Sequence, residues 1–99
     1  MGDLKGKTAV VTGASRGIGE ASARVLDAAG ARVVITGRTI SDLERVASEL
    51  NNSPVVIECD LSPARAGSLL AEKVLNSVDG VDILVNNAAI FTAVERKGF

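Results

Sequence analysis

Three closely spaced glycines follow the first apolar run of the chain. They lie in the stretch Thr12-Gly13-Ala14-Ser15-Arg16-Gly17-Ile18-Gly19. A glycine has no Cβ, so the backbone can turn with positive φ and another group can approach it closely. Where such a turn opens a helix, free N–H groups and the positive end of the helix dipole face outward. The chemistry that this spacing predicts is the binding of a phosphate or pyrophosphate group.

The sequence on both sides of the glycines distinguishes this turn from an ordinary glycine-containing loop. The apolar run from Thr8 to Thr12 is typical of a buried strand, and the residues after Gly17 repeat with helical spacing. A strand, a glycine-rich turn and a helix in this order form a dinucleotide-binding arrangement. The predicted contacts within it are Gly13, Ser15, Arg16, Gly17, Ile18 and Gly19.

Composition narrows the possible classes of function. A chain of 99 residues with 46% hydrophobic residues is long enough for one folded domain. Its formal net charge of −1 does not favour binding to nucleic acid or to an anionic membrane, and no apolar run has the length of a membrane span. The first residues lack the pattern of a secretory or transit signal, so we expect a cytoplasmic location.

The residue types that are missing bear on catalysis. The sequence has no histidine, no tyrosine and a single cysteine, Cys59. Histidine is the most frequent acid–base catalyst near neutral pH, and nothing places a carboxylate, a lysine or Cys59 as an acid–base pair. A conventional zinc site has almost no ligands here, so no metal site is predicted. Cys59 follows an apolar run and is predicted to be a buried small hydrophobic residue.

Four apolar runs alternate with three helical patterns, which is typical of a parallel sheet with helical crossovers. The predicted strands are Thr8 to Thr12, Arg32 to Thr36, Val55 to Cys59 and Asp82 to Asn86. Each run is nearly continuous in apolar residues, as in strands that are covered on both faces.

The helices are predicted from caps and apolar stripes. The first runs from about Gly17 to Ala29, with Glu20, Arg24 and Asp27 on its polar face and an apolar stripe of Ile18, Ala21, Val25, Leu26 and Ala29. The second begins at Ser41, which forms a capping box with Glu44, and buries Leu43, Val46, Ala47 and Leu50. The third has Ser62 as N-cap and Pro63 in its first turn, and buries Leu70, Ala71, Val74, Leu75 and Val78.

Right-handed crossovers restrict how these elements assemble. In a Rossmann-like half-fold the four parallel strands take the order 3-2-1-4, the first two helices share one face of the sheet, and the third covers the other face. Ligands bind at the carboxyl ends of the strands, where the strand order reverses between strands 1 and 4. Gly13 and Asn87 both fall at that place.

The end of the second strand bears on the choice of cofactor. NAD-binding sites place an acidic residue there for the ribose 2′-OH, but this strand ends Ile35-Thr36-Gly37-Arg38. A guanidinium pairs well with a phosphate, so Arg38, with Arg16 as a second cation, predicts NADP. The alternative for Arg38 is an ordinary solvated turn residue.

The turn resembles that of the short-chain dehydrogenase/reductase family, whose pattern is Thr-Gly-x-x-x-Gly-x-Gly. Two further segments match the family. Cys59-Asp60-Leu61 is similar to the family's aspartate that contacts the adenine amine, which implies adenine contacts for Asp60 and Leu61, although Asp60 can also serve as a cap or turn residue. Asn86-Asn87-Ala88-Ala89 is similar to the family's Asn-Asn-Ala-Gly segment beside the adenosine ribose, with alanine in place of glycine at position 89.

The resemblance covers residues 5 to 91, so we predict an NADP-binding half-domain over residues 1–91 and a short tail over residues 92–99, where residues 94–97 are long enough for one helical turn. Family members are longer, and their second half supplies the catalytic serine, the Tyr-x-x-x-Lys pair and the substrate pocket. None of these is present, so no catalytic residue is predicted. The resemblance implies NADP(H) binding in a protein that transfers hydride between nicotinamide and an alcohol or carbonyl.

Strand 4 is predicted to be an open edge of the sheet, which favours association with a second copy or with a longer homologue. Two alternatives to a cofactor-binding part stay open. One is a non-catalytic interaction module that keeps the fold and pairs through this edge. The other is a polypeptide made for folding studies, with an inherited cofactor site.

Overall fold

The computed structural model describes residues 3–15, 17–59 and 66–87, without the side chains of residues 66–69. The strands are β1 (Thr8–Thr12), β2 (Arg32–Gly37), β3 (Val55–Glu58) and β4 (Ile83–Val85), and the helices are α1 (Gly17–Ala28), α2 (Ile40–Ala47) and α3 (Ala66–Ser77). All strand pairs are parallel and the sheet order is β3-β2-β1-β4. The predicted Rossmann-like α/β fold is confirmed, and the strand bounds differ from prediction by one residue at several ends.

The sheet separates two apolar clusters, because successive side chains of a strand point to opposite faces. The cluster beneath α1 and α2 contains Val11, Ala14, Ala23, Val33, Ile35, Leu43 and Val46. The cluster beneath α3 contains Val10, Val34, Ile57, Cys59, Leu70, Val74 and Val78. The first two helices therefore share one face and the third covers the other, as predicted, and Cys59 is buried in the core.

The apolar stripe predicted for α1 is correct at Leu26, which packs against the cluster beneath α1 and α2, and wrong at Ile18 and Val25. Ile18 and Val25 are 74% and 62% exposed, whereas Gly19 and Ala23 are buried against the sheet. A helix lies close to a sheet when small residues form the contact, so packing places the glycine and alanine inward. Asp27, predicted on the polar face, is also buried, because its carboxylate accepts hydrogen bonds from the backbone N–H groups of Asn51 and Asn52.

The start predicted for α2 is also wrong. The helix begins at Ile40, its N-cap is Thr39, and no side-chain hydrogen bond caps it. The N–H of Leu43 donates to Thr39 O at 3.2 Å, which places Ser41 inside the first turn, where it cannot form the predicted capping box. Leu43 and Val46 are buried, as predicted.

In α3, Leu70, Val74 and Val78 are buried as predicted. Ala71 and Leu75 are exposed, and the Leu75 side chain is 61% exposed, so the buried stripe is narrower than predicted. The predicted cap residues Ser62 and Pro63, and residues 92–99, lie outside the described part of the chain.

Candidate functional site

The glycine-rich turn connects β1 to α1 at the carboxyl edge of the sheet. Gly13 and Gly17 have φ values of 63° and 62°, in the left-handed region that favours glycine. Gly19 has a different requirement: a Cβ placed there would lie 2.1 Å from Gly13 O. Each of the three glycines is therefore required by the backbone geometry of the turn or of the first helical turn after it.

The space beside Gly17 is open. A Cβ built on this residue meets no atom of the described chain within 4 Å. Gly17 is also the first residue of α1, so the unpaired N–H groups of the first helical turn lie at this opening. An opening at a helix N-terminus fits a phosphate group.

Among the described residues, three hydrogen bonds connect the turn to other elements. The N–H of Ala14 donates to Thr36 O of β2 at 3.1 Å. The Asn87 side-chain amide donates to Gly13 O at 3.5 Å, and the Arg45 guanidinium of α2 donates to Ser15 O at 2.9 Å. The turn is therefore held from β2, from α2 and from the segment after β4.

The ends of β1 and β4 are joined where the strand order reverses. The Thr12 hydroxyl accepts a hydrogen bond from the N–H of Asn87 at 2.8 Å. It lies 3.1 Å from Asn86 Oδ1 and 3.4 Å from Val85 O, either of which can accept its proton. Gly13 and Asn87, predicted to meet at this edge, are brought together.

Arg38 follows the last residue of β2, Gly37, and its side chain is exposed. Among residues 3–15, 17–59 and 66–87, no carboxylate forms a salt bridge with it. The strand end that carries Arg38 is also attached to the turn through Thr36 O. This arrangement leaves a cation at the sheet edge next to the turn.

A cluster of ion pairs near the turn is centred on Glu20 of α1. Its Oε2 lies 2.6 Å from Arg24 Nη2 and its Oε1 lies 3.5 Å from Arg45 Nη2, and Arg24 also pairs with Glu49. Hydrogen bonds from Arg24 first, and then from Arg45, hold the pKa of Glu20 below its ordinary value. Glu20 is therefore an anion at neutral pH and links α1 to α2.

Not all of the predicted site residues lie in the described chain. Gly13, Ser15, Gly17, Ile18, Gly19, Arg38 and Asn87 are described at or near the carboxyl edge of the sheet. Arg16, Asp60, Leu61, Ala88 and Ala89 lie outside the described residues. Sequence reasoning missed Arg45, which contacts Ser15 from 30 positions away, and no short motif in the sequence signals that contact.

A model of the short chain dehydrogenase family matches residues 7–98. The chain belongs to this family. The match runs through the glycine-rich turn, the end of β2 and the Asn-Asn segment after β4. It confirms the resemblance drawn from these segments.

Relatives from several bacteria are similar to this chain. Nodulation protein G of Rhizobium sp. (strain N33) is 47% identical over 90 residues, which cover 91% of the chain and 37% of the relative. The 3-oxoacyl-[acyl-carrier-protein] reductase FabG of Aquifex aeolicus is 43% identical over 91 residues, covering 88% of the chain and 37% of the relative. An oxidoreductase of Mycobacterium bovis is 42% identical over 91 residues, 86% of the chain and 27% of the relative. The chain thus spans about a third of the length of these curated relatives.

Solved structures of the family have the same fold. A metagenomic short-chain oxidoreductase crystallised in complex with NADP is similar, with a TM-score of 0.77 and 44% identity over 89% of this chain and 41% of that one. Another short chain dehydrogenase/reductase family protein has a TM-score of 0.78 and 42% identity over 89% of this chain and 36% of that one.

Two negative findings apply to the described residues alone. The described residues contain no group of three or more potential metal ligands. No helix among them is long and apolar enough to cross a membrane.

Proposed function

We propose that these 99 residues form an NADP(H)-binding part of a short-chain oxidoreductase. The observation that carries the proposal is the glycine-rich turn, with positive φ at Gly13 and Gly17 and open space at the start of α1. The pyrophosphate binds at this opening. NADP is favoured over NAD because Arg38, rather than an acidic residue, follows β2, and because a similar family member binds NADP.

The role of Arg16 rests on its charge, and the roles of the other remaining contacts rest on the family resemblance. Arg16 supplies a second cation for the 2′-phosphate, Asp60 and Leu61 border the adenine, and the segment from Asn87 to Ala89 borders the ribose. The family reaction is hydride transfer between nicotinamide and an alcohol or carbonyl. The sequence contains no tyrosine, so these residues do not include the family's proton donor. We expect these residues alone to bind cofactor without turnover.

Thermal unfolding with NADP, with NAD and without ligand tests the proposal. A ligand that binds only the folded state adds about 2.7 kcal/mol to the unfolding free energy at a hundredfold excess over Kd. We expect NADP to raise the midpoint more than NAD does. Equal midpoints with and without either nucleotide would contradict cofactor binding.

Replacing Arg38 tests the cofactor preference. Arg38→Asp removes a charge-assisted bond to the 2′-phosphate and supplies an acceptor for a 2′-OH. We expect NADP affinity to fall about tenfold to a hundredfold and the preference to shift to NAD. The control is Lys73→Asp, which makes an equal charge change at an exposed position of α3. It should leave the ratio of NADP affinity to NAD affinity unchanged. An unchanged ratio in Arg38→Asp would contradict the assignment.

A second function is favoured by the edge of the sheet. Within the described chain β4 pairs with β1 alone, and Leu84 of β4 is 64% exposed. An interaction module that pairs through this edge would show no stabilisation by nucleotide. The thermal unfolding series therefore separates the two functions.

A further inference from the structure

Arg45 contacts the glycine-rich turn from a different element. It lies on α2, between two buried residues of the same helix. Its Nη2 atom donates to Ser15 O at 2.9 Å and lies 3.5 Å from Glu20 Oε1. One guanidinium thus connects α2 both to the turn and to the first turn of α1.

Arg24 offers an internal comparison. It also pairs with Glu20, through Oε2, and with Glu49 of the segment after α2. Arg24 has no hydrogen bond to the turn among the described residues, whose side-chain hydrogen bonds to the turn come from Arg45 and Asn87. The two arginines therefore share one carboxylate and differ in whether they reach Ser15.

The orientation of the Ser15 carbonyl group bears on the backbone around the opening at Gly17. Ser15 precedes Gly17 by two residues, and Gly13 and Gly17 hold their left-handed φ values on either side of it. A carbonyl fixed at Ser15 restricts rotation of the peptide groups between these glycines. Glu20 in turn holds the guanidinium from the helix that begins at Gly17.

We propose that Arg45 is a positioning residue for dinucleotide binding, which fixes the glycine-rich turn through Ser15 O while Glu20 orients its guanidinium. The inference rests on the proposed function and deepens it. Arg45 acts on the turn, which both nucleotides use through their pyrophosphate, and so it contributes equally to NADP and NAD affinity. Arg38, in contrast, sets the preference between them.

Calorimetric titration of the chain with NADP and with NAD measures this role. Arg45→Gln removes the charge and the bond to Ser15 O, and we expect both affinities to fall about fivefold, the effect of one lost hydrogen bond, with their ratio unchanged. Arg24→Gln is the matched control, because it removes the other arginine that pairs with the Glu20 carboxylate. We expect the NADP and NAD affinities of this variant to stay within about twofold of those of the unaltered chain. Arg45→Lys keeps the charge and replaces Arg45→Gln if that variant does not fold. We expect it to weaken the binding of NADP and of NAD equally.

Hydrogen exchange without ligand gives a readout that does not depend on binding. We expect the amide of Ala14, whose N–H donates to Thr36 O across the turn, to exchange faster in Arg45→Gln than in Arg24→Gln. Equal exchange and equal affinities in these two variants would overturn the proposal, as would a loss of NADP affinity alone, which would indicate a direct phosphate contact. If the unaltered chain binds neither nucleotide, the proposed function fails, while the exchange rates still show whether Arg45 holds the turn.

Discussion

Gly19 illustrates how one missing Cβ determines the local backbone. The residue lies in the first turn of α1, and a Cβ there would lie 2.1 Å from Gly13 O and 2.8 Å from the Asn87 side-chain nitrogen. The close approach brings the start of the helix, the turn and the segment after β4 together. The requirement is one of packing, because Gly19 does not have a positive φ.

We predict that Gly19→Ala lowers the unfolding free energy by about 2 kcal/mol or more, since the added methyl group must displace backbone atoms. Urea unfolding measures the change. Gly80→Ala is the control, because a Cβ at Gly80 would meet no atom of the described chain within 4 Å and its φ is not positive. Equal stability of the two variants would show that the turn accommodates the methyl group.

Asp27 is a buried carboxylate that fixes the loop before β3. Its two oxygens accept from the N–H of Asn51 at 2.9 and 3.0 Å, and Oδ1 accepts from the N–H of Asn52 at 3.0 Å. The Asn52 side chain returns a bond to Asp27 O at 2.7 Å. This arrangement ties the end of α1 to the segment that follows α2.

We predict that Asp27→Asn costs about 2 kcal/mol of unfolding free energy, because the new amide group faces backbone donors and cannot accept all of their hydrogen bonds. Urea unfolding again measures the effect. The same change at Asp79, which is exposed after α3, should cost far less. A cost at Asp27 no greater than that at Asp79 would contradict the assigned role.

At the scale of the elements, α1 and α2 are connected on the surface by charged groups and beneath it by apolar contacts. Arg24 and Arg45 approach opposite oxygens of Glu20, and Leu43 and Val46 pack into the cluster beneath them. The charged network lies next to the glycine-rich turn. Because both arginines pair with the Glu20 carboxylate, the strength of the network depends on the ionisation of Glu20.

The network predicts a dependence of stability on pH. Because the pKa of Glu20 is lowered in the folded chain, chiefly by Arg24, folding favours the ionised carboxylate. Its contribution is complete above the ordinary glutamate pKa of about 4.3 and is lost as pH falls through the lower folded pKa. Unfolding free energies of the chain and of Glu20→Gln should differ most at neutral pH and converge in acid. The difference for Glu72→Gln, an exposed control on α3, should stay small throughout; a pH-independent difference at Glu20 would contradict the mechanism.

At the scale of the whole molecule, the sheet is unevenly covered. The central strands β1 and β2 are almost entirely buried, whereas Leu84 of β4 is 64% exposed on the face that carries α3. A strand edge beside an exposed apolar side chain favours pairing with another chain.

We predict that the chain self-associates at tens of micromolar concentration and that Leu84→Lys shifts it towards the monomer, because charge at a strand edge opposes pairing. Light scattering measures the molecular mass of the particles in solution and so distinguishes the monomer from larger assemblies. Leu75→Lys is the control, since Leu75 is 61% exposed but lies on α3 rather than on the strand. A monomeric mass for the unaltered chain, or equal effects of the two variants, would contradict association through β4.

Much of the fold follows from local patterns. The glycines at 13, 17 and 19 identified the turn, and continuous apolar runs identified the strands. The dinucleotide-binding arrangement, with right-handed crossovers, predicted the order 3-2-1-4 that the sheet has. Arg38 at the end of β2 directed the cofactor prediction towards NADP, which stays a prediction. The inferences about the fold succeed because they depend on neighbouring residues and on rules of chain connection.

Only the tertiary structure decided which groups meet across the fold. Apolarity alone placed Ile18 and Val25 in the buried stripe of α1, but small residues bring the helix close to the sheet and leave these two side chains exposed. Asp27 is buried by donors 24 and 25 positions away, and Arg45 reaches Ser15 across 30 positions. Contacts at such separations arise from the packing of whole elements, so local sequence patterns carry no record of them.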